Sequence, residues 1–180
     1  MMLTLVVAGV VIGCSSEPAA PTTTPVPVVP VVPQIVPVSQ FLTQANPNNC
    51  IDCYLADADL IGANLSEADL TRAILFGAIL VNANLRRAKL IHSDLRKANL
   101  QDSDLRGAYL IFANLRKTDL RGANLQNAVL RGADLYGVRS NGADLTGADL
   151  VGASVRSEDL EGAILCNTIL PWAIENRNCP

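Results

Sequence analysis

Leucine recurs at every fifth position over residues 52–172. From Leu55 to Leu170 the positions divisible by five are leucine, except Ser140 and Val155. Two residues before each lies a second small beat, usually alanine, so the unit reads A-(D/N)-L-x-x, as in Ala58-Asp59-Leu60-Ile61-Gly62. Of the 24 units centred on positions 55 to 170, 22 have the leucine and 17 have the alanine. A period of five suits neither common element. On an α-helix five residues advance about 500°, which would scatter the leucines around the axis. On a straight strand, period two would send successive leucines to opposite faces. The conflict disappears if the chain turns a corner every five residues. Four short sides then make a square coil of twenty residues, with leucine pointing to the axis and alanine fitting where the corner is tight. Coils stack about 4.8 Å apart, and the repeat region predicts an all-β solenoid of about six of them.

Residues twenty apart therefore form columns. Asn64, Asn84, Asp104, Asn124 and Asp144 make one, expected at corners because Asn and Asp bond backbone groups and tolerate unusual dihedrals. A metal-binding ladder is the sharper alternative for it. A basic column holds Arg96, Lys97, Arg116 and Lys117, with Arg86, Arg87 and Arg106 on the opposite side. It reads either as a solvated charged face or as an anion site, for lipid headgroups or an acidic partner. An apolar column holds Ile91, Ile111 and Val151, interrupted by Arg131, with Ile61 and Val81 stacked opposite. Such positions follow the central leucine and should face outward. They are candidates for contact with a partner or a second copy, against the plainer reading of β-propensity on an outer face. The units around Ser140 and Val155 break the leucine rule, yet the frame resumes at Leu145 without insertion. A coil that persists, with a core weakness around Ser140, is the expectation.

Residues 1–13 are almost wholly apolar and too few to span a bilayer, which takes about 20. They lead to Val11-Ile12-Gly13-Cys14-Ser15-Ser16. That string resembles the lipobox of bacterial lipoproteins, which implies lipidation of Cys14 and export to a membrane facing the periplasm, a lumen or the cell exterior. A plain cleaved signal peptide with an incidental cysteine is the alternative. Residues 17–40 carry prolines at 18, 21, 25, 27, 30, 33 and 37. These forbid helix and sheet interior and predict a polyproline-like spacer rising about 3.1 Å per residue, a reach of up to about 75 Å. The organisation reads as a signal peptide over 1–13, a lipidated cysteine and linker over 14–40, an N-terminal cap over 41–52, repeats over 53–172 and a C-terminal cap over 173–180.

The A-(D/N)-L-x-x register resembles the pentapeptide repeat proteins, across about two thirds of the chain. That resemblance implies a right-handed quadrilateral β-helix and is barely specific to function. In that fold, with Cys14 lipidated, four cysteines remain: 50, 53, 166 and 179. The coils hold the first two some 25–30 Å from the last two, and a disulfide needs Cα atoms within about 7 Å. Cys50–Cys53 and Cys166–Cys179 is the pairing left, each bond securing one end. Trp172 follows the last leucine closely and is expected to lie over the final coil as a lid. The tail from Cys166 to Cys179 is similar to those of exported members.

Chemistry is not visible. His92, Ser93 and Asp94 are consecutive, so their side chains face different ways and cannot assemble a triad. Neither a phosphate-binding loop nor a metal-ligand spacing is found, and no cofactor is expected. A net charge of −3 gives no electrostatic case for nucleic acid. The family resemblance also implies an alternative, a DNA mimic that binds type II topoisomerases. The repeats argue against it, with 14 acidic and 13 basic residues over 53–172. The expectation is a non-enzymatic scaffold tethered to a membrane by lipid, with either an unknown protein or a second copy of the chain as its partner.

Overall fold

The computed structural model describes residues 5–7, 10–12 and 49–179. At the N-terminus, β1 (Leu5–Val7) and β2 (Val10–Ile12) pair antiparallel, with Leu5 opposite Ile12. Cys14 and the proline-rich linker lie outside the described residues.

From Asn49 onward the chain is a quadrilateral β-helix. Each side is a single parallel bridge between residues twenty apart, beginning with Asn49–Asp69 and ending with Asp149–Ile169. The hydrogen bonds show why the period is five. The Leu55 N–H donates to the Ile74 carbonyl (2.7 Å) and the Ile74 N–H returns to the Cys53 carbonyl (2.8 Å), tying two coils together. At the corner, the Ala63 N–H donates to the Leu60 carbonyl (3.0 Å), closing a four-residue turn. Its third residue sits in the left-handed region, φ 63° at Gly62 and 55° at Asp57. The same conformation recurs every five residues from 52 to 152, held by glycine at some corners and by residues as large as Phe112 and Arg87 at others.

This distribution corrects the expected role of the Asn/Asp columns. They stand on the sides, not at the corners, and they cap the corners from there. Asp59 Oδ1 accepts the N–H of Ile61 (3.2 Å), and Asn114 and Asp134 do the same for Arg116 and Tyr136 (3.2 and 3.1 Å). A carboxylate or amide one residue before leucine thus satisfies a corner amide that no ladder bond reaches.

Leucines and alanines fill the interior, the leucines from 55 to 150 being at most 1 % exposed. Each such burial contributes roughly 1.5–3 kcal/mol. Where Ser or Thr replaces the alanine, the hydroxyl finds a carbonyl: Ser93 on Leu90 (2.8 Å), Ser103 on Leu100 (2.7 Å), Thr118 on Leu95 (2.7 Å) and Thr168 on Leu145 (2.8 Å). Among the described residues no buried side-chain polar atom lacks a partner.

The frame does not persist everywhere. The bridge expected between Arg139 and Asp159 is absent, and Ser157–Leu160 forms a 3-10 turn. The cause is Glu158, which occupies an alanine place and stays exposed. The chain turns Asp159 inward instead, to 5 % exposure. Ser140 is not the weak point; its hydroxyl donates to the Asp159 carbonyl (2.8 Å) and is buried.

The exit also differs from expectation. Trp172 is 50 % exposed and does not serve as a lid. The end is closed by β4 (Ile174–Arg177), which folds back antiparallel on β3 (Leu165–Ile169). The Asn178 side chain donates to the Ala163 carbonyl (2.7 Å), and Cys166 is bonded to Cys179 with Cα atoms 5.3 Å apart. At the other end Cys50 is bonded to Cys53, Cα atoms 5.2 Å apart.

Candidate interaction surface

With the interior filled, only outward side chains can meet a ligand. The sides carry the residue before leucine, and the corners carry the two residues after it. Columns twenty apart therefore become the edges of a rod, and three of them concern the candidate residues.

The first edge begins at Phe76 and continues through Arg96, Arg116, Tyr136 and Arg156. The Arg96 guanidinium lies over the Phe76 ring at 5.5 Å, and Lys97 Nζ lies over the same ring at 5.3 Å. Arg116 and Arg156 flank Tyr136 at 4.9 and 4.3 Å. Each ring therefore orients cations from neighbouring coils. Beside the arginines stand carboxylates: Asp94 binds Arg96 through both oxygens (2.8 and 2.6 Å), and Asp134 accepts from Arg116 (3.1 Å). Arg96's hydrogen bonds hold the Asp94 carboxyl below the ordinary carboxylate range, and Asp94 raises Arg96 in return.

On the opposite edge the basic residues are matched in the same way. Arg106 pairs with Asp104 through 2.8 and 2.5 Å contacts, Arg86 approaches Asp104 at 4.0 Å, and Arg87 approaches Glu67 at 3.7 Å. What reads in sequence as a continuous basic belt is largely paired with carboxylates, Arg96 and Arg106 with the Asp two residues before each and Arg86, Arg87 and Arg116 with carboxylates of adjacent coils. The D-L-R string at Asp94, Asp104 and Asp119 is the signal that could have revealed it, since the corner folds those two side chains together.

The apolar column is also redistributed. Val151 is 47 % exposed, whereas Ile91 and Ile111 are only half-buried at their corner. The most exposed large apolar group there is the neighbouring Phe112, at 59 %, its ring stacked on His92 with centroids 5.2 Å apart. Phe112 is accommodated because the next coil offers Gly132 at the same place, where any Cβ would run into the ring. Ile61 is 55 % exposed on the opposite edge. Phe112 is not marked by the apolar column in the sequence because it follows Ile111 by one residue.

Among the described residues no cluster of His, Cys, Asp or Glu is placed to hold a metal ion. The Asn64–Asn84 step of the Asn/Asp column is instead an amide-to-amide hydrogen bond of 3.0 Å. No helix among the described residues is long and apolar enough to cross a membrane.

This geometry of inward leucines and capped corners defines a class, and comparison with known proteins gives the same one. The pentapeptide repeat family profile matches eight copies, in overlapping stretches from residue 53 to residue 174. The chain belongs to the pentapeptide repeat family. Its fold is the right-handed quadrilateral β-helix of that family. Among solved structures it is similar to Rfr23 from the cyanobacterium Cyanothece 51142, at 28 % identity over 74 % of this chain and 97 % of that one, with a TM-score of 0.50. It is also similar to a pentapeptide repeat protein from Nostoc PCC 7120, at 34 % identity over 59 % of this chain and 91 % of that one, with a TM-score of 0.51. No functionally curated protein matches the chain.

Proposed function

We propose that this protein is a non-enzymatic scaffold, exported and held at a membrane through a lipid on Cys14, which binds its partner along the edges of the rod. The observation that carries the scaffold reading is the solid interior. The central leucines and neighbouring alanines are buried, so recognition is left to the outward columns. The tether rests on the Val11-Ile12-Gly13-Cys14 string, and the proline-rich stretch behind it gives the rod its distance from the bilayer. The near balance of charge over the repeats, and the pairing of arginines with neighbouring aspartates, stand against mimicry of DNA.

Metabolic labelling with a radioactive fatty acid tests the tether. The natural chain should take up label and Cys14→Ser should not; equal labelling would end the lipoprotein reading. Crosslinking in intact cells, followed by pull-down, tests the scaffold role. A partner crosslinked from positions 96, 97, 116 or 117 places the contact on the first edge, and one crosslinked from Phe112 or Val151 places it on the apolar edge. Turnover of a small-molecule substrate by the purified chain would contradict the non-enzymatic reading.

A further inference from the structure

The chain has 14 basic residues, and twelve of them have a carboxylate oxygen within 4.0 Å. The two that have none among the described residues are Lys97 and Lys117. They occupy the same corner place on adjacent coils, so two like charges stack with no carboxylate between them. Like charges directly opposite on neighbouring strands are destabilising. Both lysines are also held in the left-handed region, φ 58° and 59°, which is strained for an L-residue. Glycine would remove both penalties, and the chain places glycine at this corner in the coils on either side, Gly77 and Gly137. Two unfavourable choices thus coincide at one spot. Left-handed corners held by large residues recur along the rod, so the like-charge stack is what sets this spot apart, offset on one side by the contact of Lys97 with the Phe76 ring.

The side chains at this spot lean apart. Arg96 and Lys97 reach over Phe76, in the preceding coil. Arg116 reaches over Tyr136 in the following coil, and Lys117 Cγ lies 3.5 Å from where a Cβ on Gly137 would be. The two coils thus present a cationic pair each, Arg96 with Lys97 and Arg116 with Lys117. The arginine charges are already matched by Asp94 and Asp134, so the unmatched charge belongs to the lysines.

The ligand chemistry follows from which cation does what. Where this chain holds carboxylates through two bonds it uses the planar arginine fork, as at Asp52–Arg72, Asp94–Arg96, Asp104–Arg106 and Asp119–Arg121. Lysine offers a compact point charge that suits a small polyanion with several oxygens. We propose that Lys97 and Lys117 together bind a phosphate group, which draws the two flexible ammonium groups towards each other across adjacent coils. Arg96 and Arg116 stay with their aspartates. This deepens the scaffold reading and rests on it, by naming what the first edge recognises. The phosphate can belong to a lipid headgroup or to a soluble compound.

The test uses the full chain carrying Cys14→Ser, so no binding passes through an acyl group. Inorganic phosphate is titrated against chloride at matched ionic strength, following the thermal midpoint and the lysine side-chain resonances. Phosphate should raise the midpoint more than chloride does and shift the signals of Lys97 and Lys117. In the double variant Lys97→Gly, Lys117→Gly, phosphate affinity should fall about tenfold or more, while the midpoint without phosphate rises. That rise separates lost binding from lost folding. An equal phosphate response from the double variant, or an equal effect of chloride, would overturn the proposal. Tighter binding of poly-glutamate than of phosphate would also overturn it, in favour of an acidic protein partner. Sedimentation with phosphatidylglycerol vesicles, absent with phosphatidylcholine and reversed by phosphate, assigns the group to a lipid. Phosphate binding without vesicle binding assigns it to a soluble compound. Absence of fatty acid on Cys14 would remove the tether reading and leave each of these outcomes unchanged.

Discussion

The side running from residue 113 to 117 and the one running from 153 to 160 are built on the same five-residue frame, and they behave differently. In the first, Leu115 is fully buried, Asn114 caps the corner, Lys117 takes the left-handed place and Thr118 fits the alanine position with its hydroxyl bonded. In the second, Val155 is only partly buried, Ser157 does not adopt the left-handed conformation, and Glu158 is expelled from the alanine position. The lesson concerns which deviation the coil absorbs. A polar residue able to donate to a nearby carbonyl stays inside without disturbance, as Ser93, Ser103, Thr118 and Ser140 do. A charged side chain with no internal partner does not, and the backbone yields. The 3-10 turn is the local solution, and it turns inward a different acid, Asp159, that can be satisfied there.

The comparison is broken most directly by removing core volume from both sides of it. Leu115 and Val155 lie in one column of central positions. Leu115→Ala should cost about 2–5 kcal/mol, from lost transfer energy and the residual cavity. Val155→Ala should cost about 1 kcal/mol, because only part of the side chain leaves water on folding. Urea midpoints at unchanged slope give both values. Equal losses would mean that the second unit is packed as tightly as the first.

A sharper probe is the acid that the irregular unit turns inward. Asp159 accepts both Arg156 side-chain donors (2.9 and 2.7 Å), the Arg156 N–H (3.1 Å) and the Gly137 N–H (3.1 Å), which ties the turn to the coil before it. Asp159→Ala leaves these donors without their acceptor and should cost about 1–3 kcal/mol at neutral pH. The pH dependence has a definite sign. Hydrogen bonding from Arg156 holds the Asp159 carboxyl below its ordinary value. Between the folded and the unfolded values the unfolded chain binds the extra proton, so stability rises with pH there. The contribution is complete above the unfolded value, about 4, and is lost as pH falls through the folded one. The gap between the natural chain and Asp159→Ala should therefore narrow on acidification below about pH 4. A constant gap would show that the carboxylate's charge is not what secures the turn.

The leucine period was enough to read the coil, because burying one side chain per corner leaves a square as the solution. The candidate surface was legible only in its columns. Arg96, Lys97, Arg116 and Lys117 do share an edge, but their pairing depends on how the corner brings Asp94 to Arg96. A period of five is silent about that. Phe112 was hidden for a related reason: its exposure depends on Gly132 in the next coil clearing room for the ring. The irregular unit was marked in the sequence by Glu158 at an alanine place, a stronger signal than Ser140 at a leucine place. A hydroxyl can share a backbone carbonyl, whereas a buried carboxylate needs several donors. Trp172 looked like a lid because large aromatic groups usually leave water. The antiparallel return of Ile174–Arg177 satisfies the last strand's backbone and takes that role from it.

The smallest effect tests the backbone difference alone, since one substitution should change sign between a regular corner such as that of residue 87 and the irregular unit. Arg87 sits in the left-handed region at φ 54°, with its guanidinium exposed and 3.7 Å from Glu67. Arg87→Gly relieves the strain of an L-residue there, while glycine's greater freedom in the unfolded chain offsets part of the gain. The net should be a stabilisation of up to about 1 kcal/mol, the exposed ion pair contributing little. Ser157 holds the equivalent corner place but lies in the 3-10 turn without a left-handed φ. Ser157→Gly relieves nothing and adds only unfolded-state entropy, so it should destabilise by about 0.4–1 kcal/mol. Paired denaturation curves for the two variants measure the difference. Stabilisation by both would show that residue 157 prefers the left-handed corner in solution, and the irregular unit would then be a regular coil.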